Sequence, residues 1–211
     1  MVGWVQDHLE AIYGIRSHYR ASEFLLTRDA AGQLGGNGRS REELLLHEEN
    51  GELWLGLNFA PQVLETVQSN EIPGSAWLDS NLDTYCQIAE GVSHFLYLTF
   101  VAAEGRQVSQ LELETQAEID KFVTCALHGW NRTGRWAEQI HRRLFDDVAF
   151  HPSLSGEERW RYREANRLAR SYCARLLPQV ASKRMDRFLA ELRFSYRLGA
   201  EAKLRHLAKT P

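Results

Sequence analysis

A chain of 211 residues can bury one substantial core, and its length predicts a single globular domain over 1–211. With 44% hydrophobic and 25% charged residues and no low-complexity tract, the composition excludes disordered and fibrous classes. A net charge of −3 is unlike that of a dedicated nucleic-acid-binding domain.

The first residues, Met1 to Glu10, lack the basic and apolar regions of a secretory signal, and no apolar run reaches the roughly 20 residues of a membrane span. A cytoplasmic protein with no membrane association is expected. Cys86, Cys125 and Cys173 form no CxxC pair, and an odd count fits buried, reduced thiols.

In chain order, apolar spacing predicts a helix from Gly3 to about Leu26, passing into extended structure near Phe24. Residues 30–40 hold four glycines and are expected to form a loop; they lack the Gly-Lys-Ser/Thr ending of a phosphate-binding loop. Glu43 to Phe59 predicts a β-hairpin turning at Asn50-Gly51, with Leu53, Leu55 and Leu57 inward and Gly56 at a close approach. Trp54 lies on the other face, where exposure would mark a partner surface. A third strand near Phe24 to Thr27 is one way to cover the hairpin. A short helix follows from Pro61 to Val67, then a loop over 70–76.

The centre of the chain predicts a long antiparallel helical hairpin. Asn81 to Ala103 is apolar around most of its wheel, with Asp83, Gln87, Glu90 and His94 on one narrow stripe. A second helix opens at Ser109, capped with Glu112, and stops at Gly129. Because both helices rise about 1.5 Å per residue from a turn near Arg106, Cys86 falls level with Cys125, Glu90 with Lys121, His94 with Glu118, and Tyr97 with Glu114.

Residues 131–211 hold 18 of the 25 basic and 9 of the 28 acidic residues, a formal +9 against −12 for residues 1–130. Three helices are expected there: Thr133 to Val148, Gly156 to Leu177, and Arg184 to Ala208 with Gly199 in its interior at a close helix contact. The middle one carries an outward stripe of Arg159, Arg163, Arg167 and Arg170, expected first to pair with acids of the chain or to be solvated, and otherwise the candidate surface for an anionic partner. Trp130, Trp136 and Trp160 are expected in the core.

The predicted fold is therefore mainly α, within the α+β class. It has six or seven helices around the long antiparallel hairpin, plus one small β-hairpin. An acidic part (1–130) and a basic part (131–211) share one domain. The function expected first is an interaction or regulatory module with a protein partner, compatible with homo-oligomers and needing no cofactor. The alternative is a metal-assisted or acid–base hydrolase centred on His94, with Glu118 orienting it, Glu90 and Glu114 beside it, and Ser93 or Cys125 as nucleophile. Nucleic-acid binding through the arginine stripe is a second alternative. No established metal-binding spacing occurs, and His128, His141 and His151 are expected at the surface or at caps.

Overall fold

The computed structural model describes residues 1–36, 42–49, 52–68, 75–132, 134–146 and 148–209. Among these, nine α-helices and one antiparallel two-stranded sheet are present, a mainly helical bundle with a small β-hairpin. No helix among the described residues is long and apolar enough to cross a membrane.

Helix α1 (Val2–Tyr13) is shorter than its apolar period predicts. Gly14 takes a left-handed conformation (φ 60°) and closes the helix, and the chain next coils only at a 3₁₀ turn over Ala21–Phe24. The extended piece after it joins the sheet: Leu25 bridges Leu57, and Leu26 N–H donates to the Leu57 carbonyl at 2.9 Å. Residues 30–33 of the expected glycine loop belong instead to α2 (Arg28–Gln33), capped by the Thr27 hydroxyl; residues 37–40 lie outside the described residues.

Strands β1 (Glu42–Glu49) and β2 (Glu52–Phe59) pair from Glu42↔Phe59 to Glu49↔Glu52. The Asn50-Gly51 turn lies outside the described residues. Leu57 and Phe59 are buried, Leu44 and Leu55 pack partly buried against the core, and Trp54 is 56% exposed. Gly56 lets Leu26 lie across the sheet: a Cβ there would sit 2.3 Å from Leu26 Cδ1. Helix α3 (Pro61–Gln68) follows as expected, while residues 69–74 of the next loop are outside the described residues.

Helix α4 (Ser75–Ala103) begins before the predicted start at Asn81 and is kinked there, where the backbone leaves helical angles (φ −126°, ψ 26°). There the side-chain amide donates to the Trp77 carbonyl at 3.0 Å, the acceptor that the Asn81 backbone N–H would use in an unbroken helix. Helix α5 (Gln110–His128) has the expected Ser109/Glu112 capping box and ends at Gly129. It packs between α4 and α7, with α6 (Gly134–Phe145) beside it.

Helix α7 (Gly156–Ala181) runs on through Pro178 rather than stopping before it, which confines the missing proline donor to the last turn. The single C-terminal helix predicted over Arg184 to Ala208 is two, α8 (Met185–Arg197) and α9 (Ala200–Leu207). Gly199 is the extended N-cap of α9, not an interior position, and nothing lies within 4 Å of where its Cβ would be. The core is continuous from α1 through α4, α5, α7 and α8.

Candidate metal centre

Glu90 and His94 stand one turn apart on α4, so they leave the same face. Helix α5 lays Glu114, Glu118 and Lys121 against that face, β1 adds Glu42, and α7 adds Arg161. The expected Glu90–Lys121 pair forms at 3.1 Å, and Lys121 also donates to Glu118 at 2.8 Å. His94 does not pair with Glu118. Lys121, three residues on along the same helix, takes that carboxylate. His94 Nδ1 lies 3.4 Å from Glu42 and its Nε2 lies 3.6 Å from Glu114.

Tyr97 does not pair with Glu114 either. The Lys203 ammonium sits 3.8 Å from the Tyr97 ring centroid, and burial, reinforced by Glu112, raises the pKa of its hydroxyl.

Glu42 and Arg161 are the two members that sequence reasoning missed, and each carried a signal. Glu42 shares the inward face of β1 with Leu44 and pairs with buried Phe59, an odd place for an acid. Arg161 extends the buried line of Ala165, Leu168 and Tyr172 along α7. Gly91 makes the strand's approach possible, because a Cβ there would lie 2.8 Å from Glu42 Cγ and from Phe59 Cζ.

The groups perturb one another strongly. Burial disfavours the His94 imidazolium, yet Glu42 and Glu114 outweigh it and hold the pKa well above the ordinary histidine value. Burial likewise opposes the Lys121 ammonium, and Glu118 and Glu90 more than restore it. Burial raises both Glu42 and Glu118, with His94 and Lys121 respectively opposing the rise. At Glu90 burial is outweighed by Lys121 and His94, and its pKa falls.

Two buried donors here lack a hydrogen-bond acceptor among the described residues: His94 Nε2, on a side chain only 9% exposed, and Arg161 Nε, 3.8 Å from Glu114. They flank the two oxygens of one carboxylate. One donor atom each from Glu90, His94 and Glu114 lies within 4.8 Å of the others. A first-row dication about 2.1 Å from each would draw them slightly closer, a side-chain movement on the order of 1 Å. The donor set of one imidazole and two carboxylates suits Mn²⁺, Fe²⁺ or Zn²⁺. Glu42 would then hold Nδ1–H and fix the tautomer that presents Nε2 to the ion.

The other sequence candidates lie elsewhere. Ser93 donates to buried Asp120 at 2.6 Å, away from His94's carboxylates. Cys125 is buried beside Cys86, whose hydrogen bond, together with burial, lifts its pKa well above the ordinary thiol value and denies it thiolate character. His141, expected at the surface or at a cap, is buried against Phe122 and Phe145 with Nε2 3.0 Å from the Arg170 carbonyl. Trp160, expected in the core, is 59% exposed.

Along the arginine stripe, Arg159 bonds the Pro152 carbonyl, Arg167 pairs with Glu164 and Arg170 pairs with Asp146, while Arg163 is exposed. Comparison with protein-family models, with curated proteins and with solved structures finds no match for this chain.

Proposed function

We propose that this protein binds one divalent first-row metal ion through Glu90, His94 and Glu114, and that the ion serves metal-assisted chemistry on an oxygen-containing ligand. The observation that carries the reading is the buried Nε2 of His94, which has no hydrogen-bond acceptor and faces Glu114 with Glu90 one turn away. Charge supports it. With the imidazole neutral, as ligation requires, four carboxylates (Glu42, Glu90, Glu114, Glu118) meet two permanent cations, Lys121 and Arg161, leaving a formal deficit of two that a dication would cancel.

The ion would supply Lewis acidity and lower the pKa of a bound water. Lys121 holds Glu90 and Glu118 apart from one another's charge, and Glu42 orients the imidazole. Because imidazole must be neutral to ligate, affinity should rise with pH.

Calorimetric titration of chelator-treated protein with Mn²⁺ and with Zn²⁺ should give one ion per chain, with affinity lowered at least about tenfold by His94→Gln and by Glu114→Gln. Binding that is indifferent to both substitutions would sink the proposal.

A second reading keeps a protein partner. Trp54 (56% exposed) and Leu46 (50%) leave opposite faces of the hairpin and present apolar surface to solvent. Under it, Trp54→Ser should abolish a stoichiometric complex isolated with the native protein while leaving the melting temperature in place. Retention of the complex would count against the hairpin as the docking element.

A further inference from the structure

We infer that Arg161 is an oxyanion-binding residue of the metal centre, holding a carboxylate or phosphate oxygen of the ligand that the ion polarises; this rests on the metal reading above. Arginine carries five N–H donors in a rigid fork, and buried polar groups are nearly always satisfied. Arg161 departs from that rule. Its side chain is only 15% exposed, its Nε has no hydrogen-bond acceptor, and its one ion-pair contact, to Glu114 Oε1, is loose at 3.8 Å.

The contrast with its neighbours is informative. Arg167 and Arg170 on the same helix are more than half exposed, yet each makes a tight pair at 2.6–2.7 Å. The buried arginine leaves its Nε unused. It is held in place by the ring of Tyr162, 5.5 Å from the guanidinium carbon, and by its position on the inward line of α7.

Glu114 places this guanidinium relative to the ion. One of its oxygens faces His94 Nε2 and the other faces Arg161 Nε, so an ion bound to Glu114 has the guanidinium as its neighbour across the carboxylate. Without the ion, the surrounding carboxylates repel an anion. With it, the formal charge of the cluster is cancelled, and an oxyanion can accept from the guanidinium while one of its oxygens completes the metal's coordination. Lys121 cannot serve in this way, because Glu90 and Glu118 already occupy its ammonium.

The test uses the full chain loaded with Mn²⁺, titrated with inorganic phosphate and, separately, with acetate. Calorimetry follows the anion, and the Mn²⁺ electron paramagnetic resonance signal reports on the ion. At least one anion should bind the Mn²⁺ form and not the metal-free form. Arg161→Gln should weaken it about tenfold or more and Arg161→Lys less so, while neither variant should bind Mn²⁺ more weakly, since losing a cation beside Glu114 favours the dication. The anion that binds identifies a phosphate or a carboxylate ligand.

Anion affinity equal in wild type and Arg161→Gln, anion binding that ignores Mn²⁺, or no binding of either anion to the Mn²⁺ form would overturn the inference and leave the metal site standing. Failure of Mn²⁺ itself to bind would remove the metal reading as well. Circular dichroism establishes that each variant is folded, and Arg161→Lys keeps the comparison available if the glutamine variant is not.

Discussion

An ammonium with no exposed surface is rare, and Lys203 on α9 is one. Its Nζ donates to Gln116 Oε1 at 2.6 Å and lies over the rings of Tyr97 and Tyr196, 3.8 and 5.3 Å from their centroids. Gln116 in turn donates to Asp120 at 2.8 Å, and that carboxylate also accepts from Ser93 and from Tyr13. Burial is the main cause at both ends. It pulls Lys203 down to about 7, with Asp120 and Glu112 opposing, and pushes Asp120 up to about 6 against its three donors.

Since the unfolded chain still binds the lysine proton between pH 7 and about 10 while the native chain has released it, stability contributed by this site rises with pH over that window. The slope is about 1.4 kcal/mol per pH unit at most. Urea melts of wild type and Lys203→Met at pH 7 and pH 9 should show the wild type gaining relative to the variant by a few kcal/mol. Equal pH dependence would mean that the ammonium is not desolvated.

Gly91 sets the distance between the hairpin and α4, and so controls how an entire strand meets the candidate centre. Gly91→Ala should cost about 1–3 kcal/mol through overpacking against Glu42 and Phe59. It should also weaken Mn²⁺ binding even though no ligand changes, because Glu42 no longer meets Nδ1. Unchanged Mn²⁺ affinity would show that Glu42 does not orient His94.

At this scale the sequence was readable where signals are local. Both capping boxes, at Ser109/Glu112 and Ser155/Glu158, form as their spacing predicts, and the β-hairpin's strands fall where alternation puts them. The Glu90–Lys121 level was readable because helical rise is constant. Boundaries failed where apolar periodicity continued through a break in the backbone: Gly14 ends α1 and Leu198-Gly199 divides α8 from α9. Of the site, Glu90, His94 and Glu114 were legible. Glu42's inward place on β1 could have been read from alternation, but its contact with His94 could not, because the two are 52 residues apart and no local pattern encodes it.

Across the whole molecule, the surplus of cations in residues 131–211 has a structural use that does not require an acidic partner. Arg132–Asp79 and Arg161–Glu114 pair the basic part with the acidic part. Many of the other basic side chains bind carbonyls at helix C-termini, the groups that a helix leaves without intrahelical donors and where its dipole is negative. Arg193 donates to Ile12 and Ala11, and Arg197 to Tyr13 and Gly14, closing α1. Arg175 does the same for α9 through His206 and Leu207, and Lys183 holds the carbonyls of Trp130 and Arg132 just past α5.

Arg193→Gln should therefore cost about 1–2 kcal/mol in a denaturant melt, with little sensitivity to salt compared with an exposed ion pair. A loss abolished by moderate salt would indicate ordinary surface pairing instead.

The clamp on α1 also sets an order of events during synthesis. The acceptor at Ile12 and the donor at Arg193 are 181 residues apart. At roughly 5–20 residues per second, about 10–40 s separate their emergence from the ribosome. For that interval α1 is held only by its own turns and whatever it meets, so its native end is sealed by a helix translated long after it.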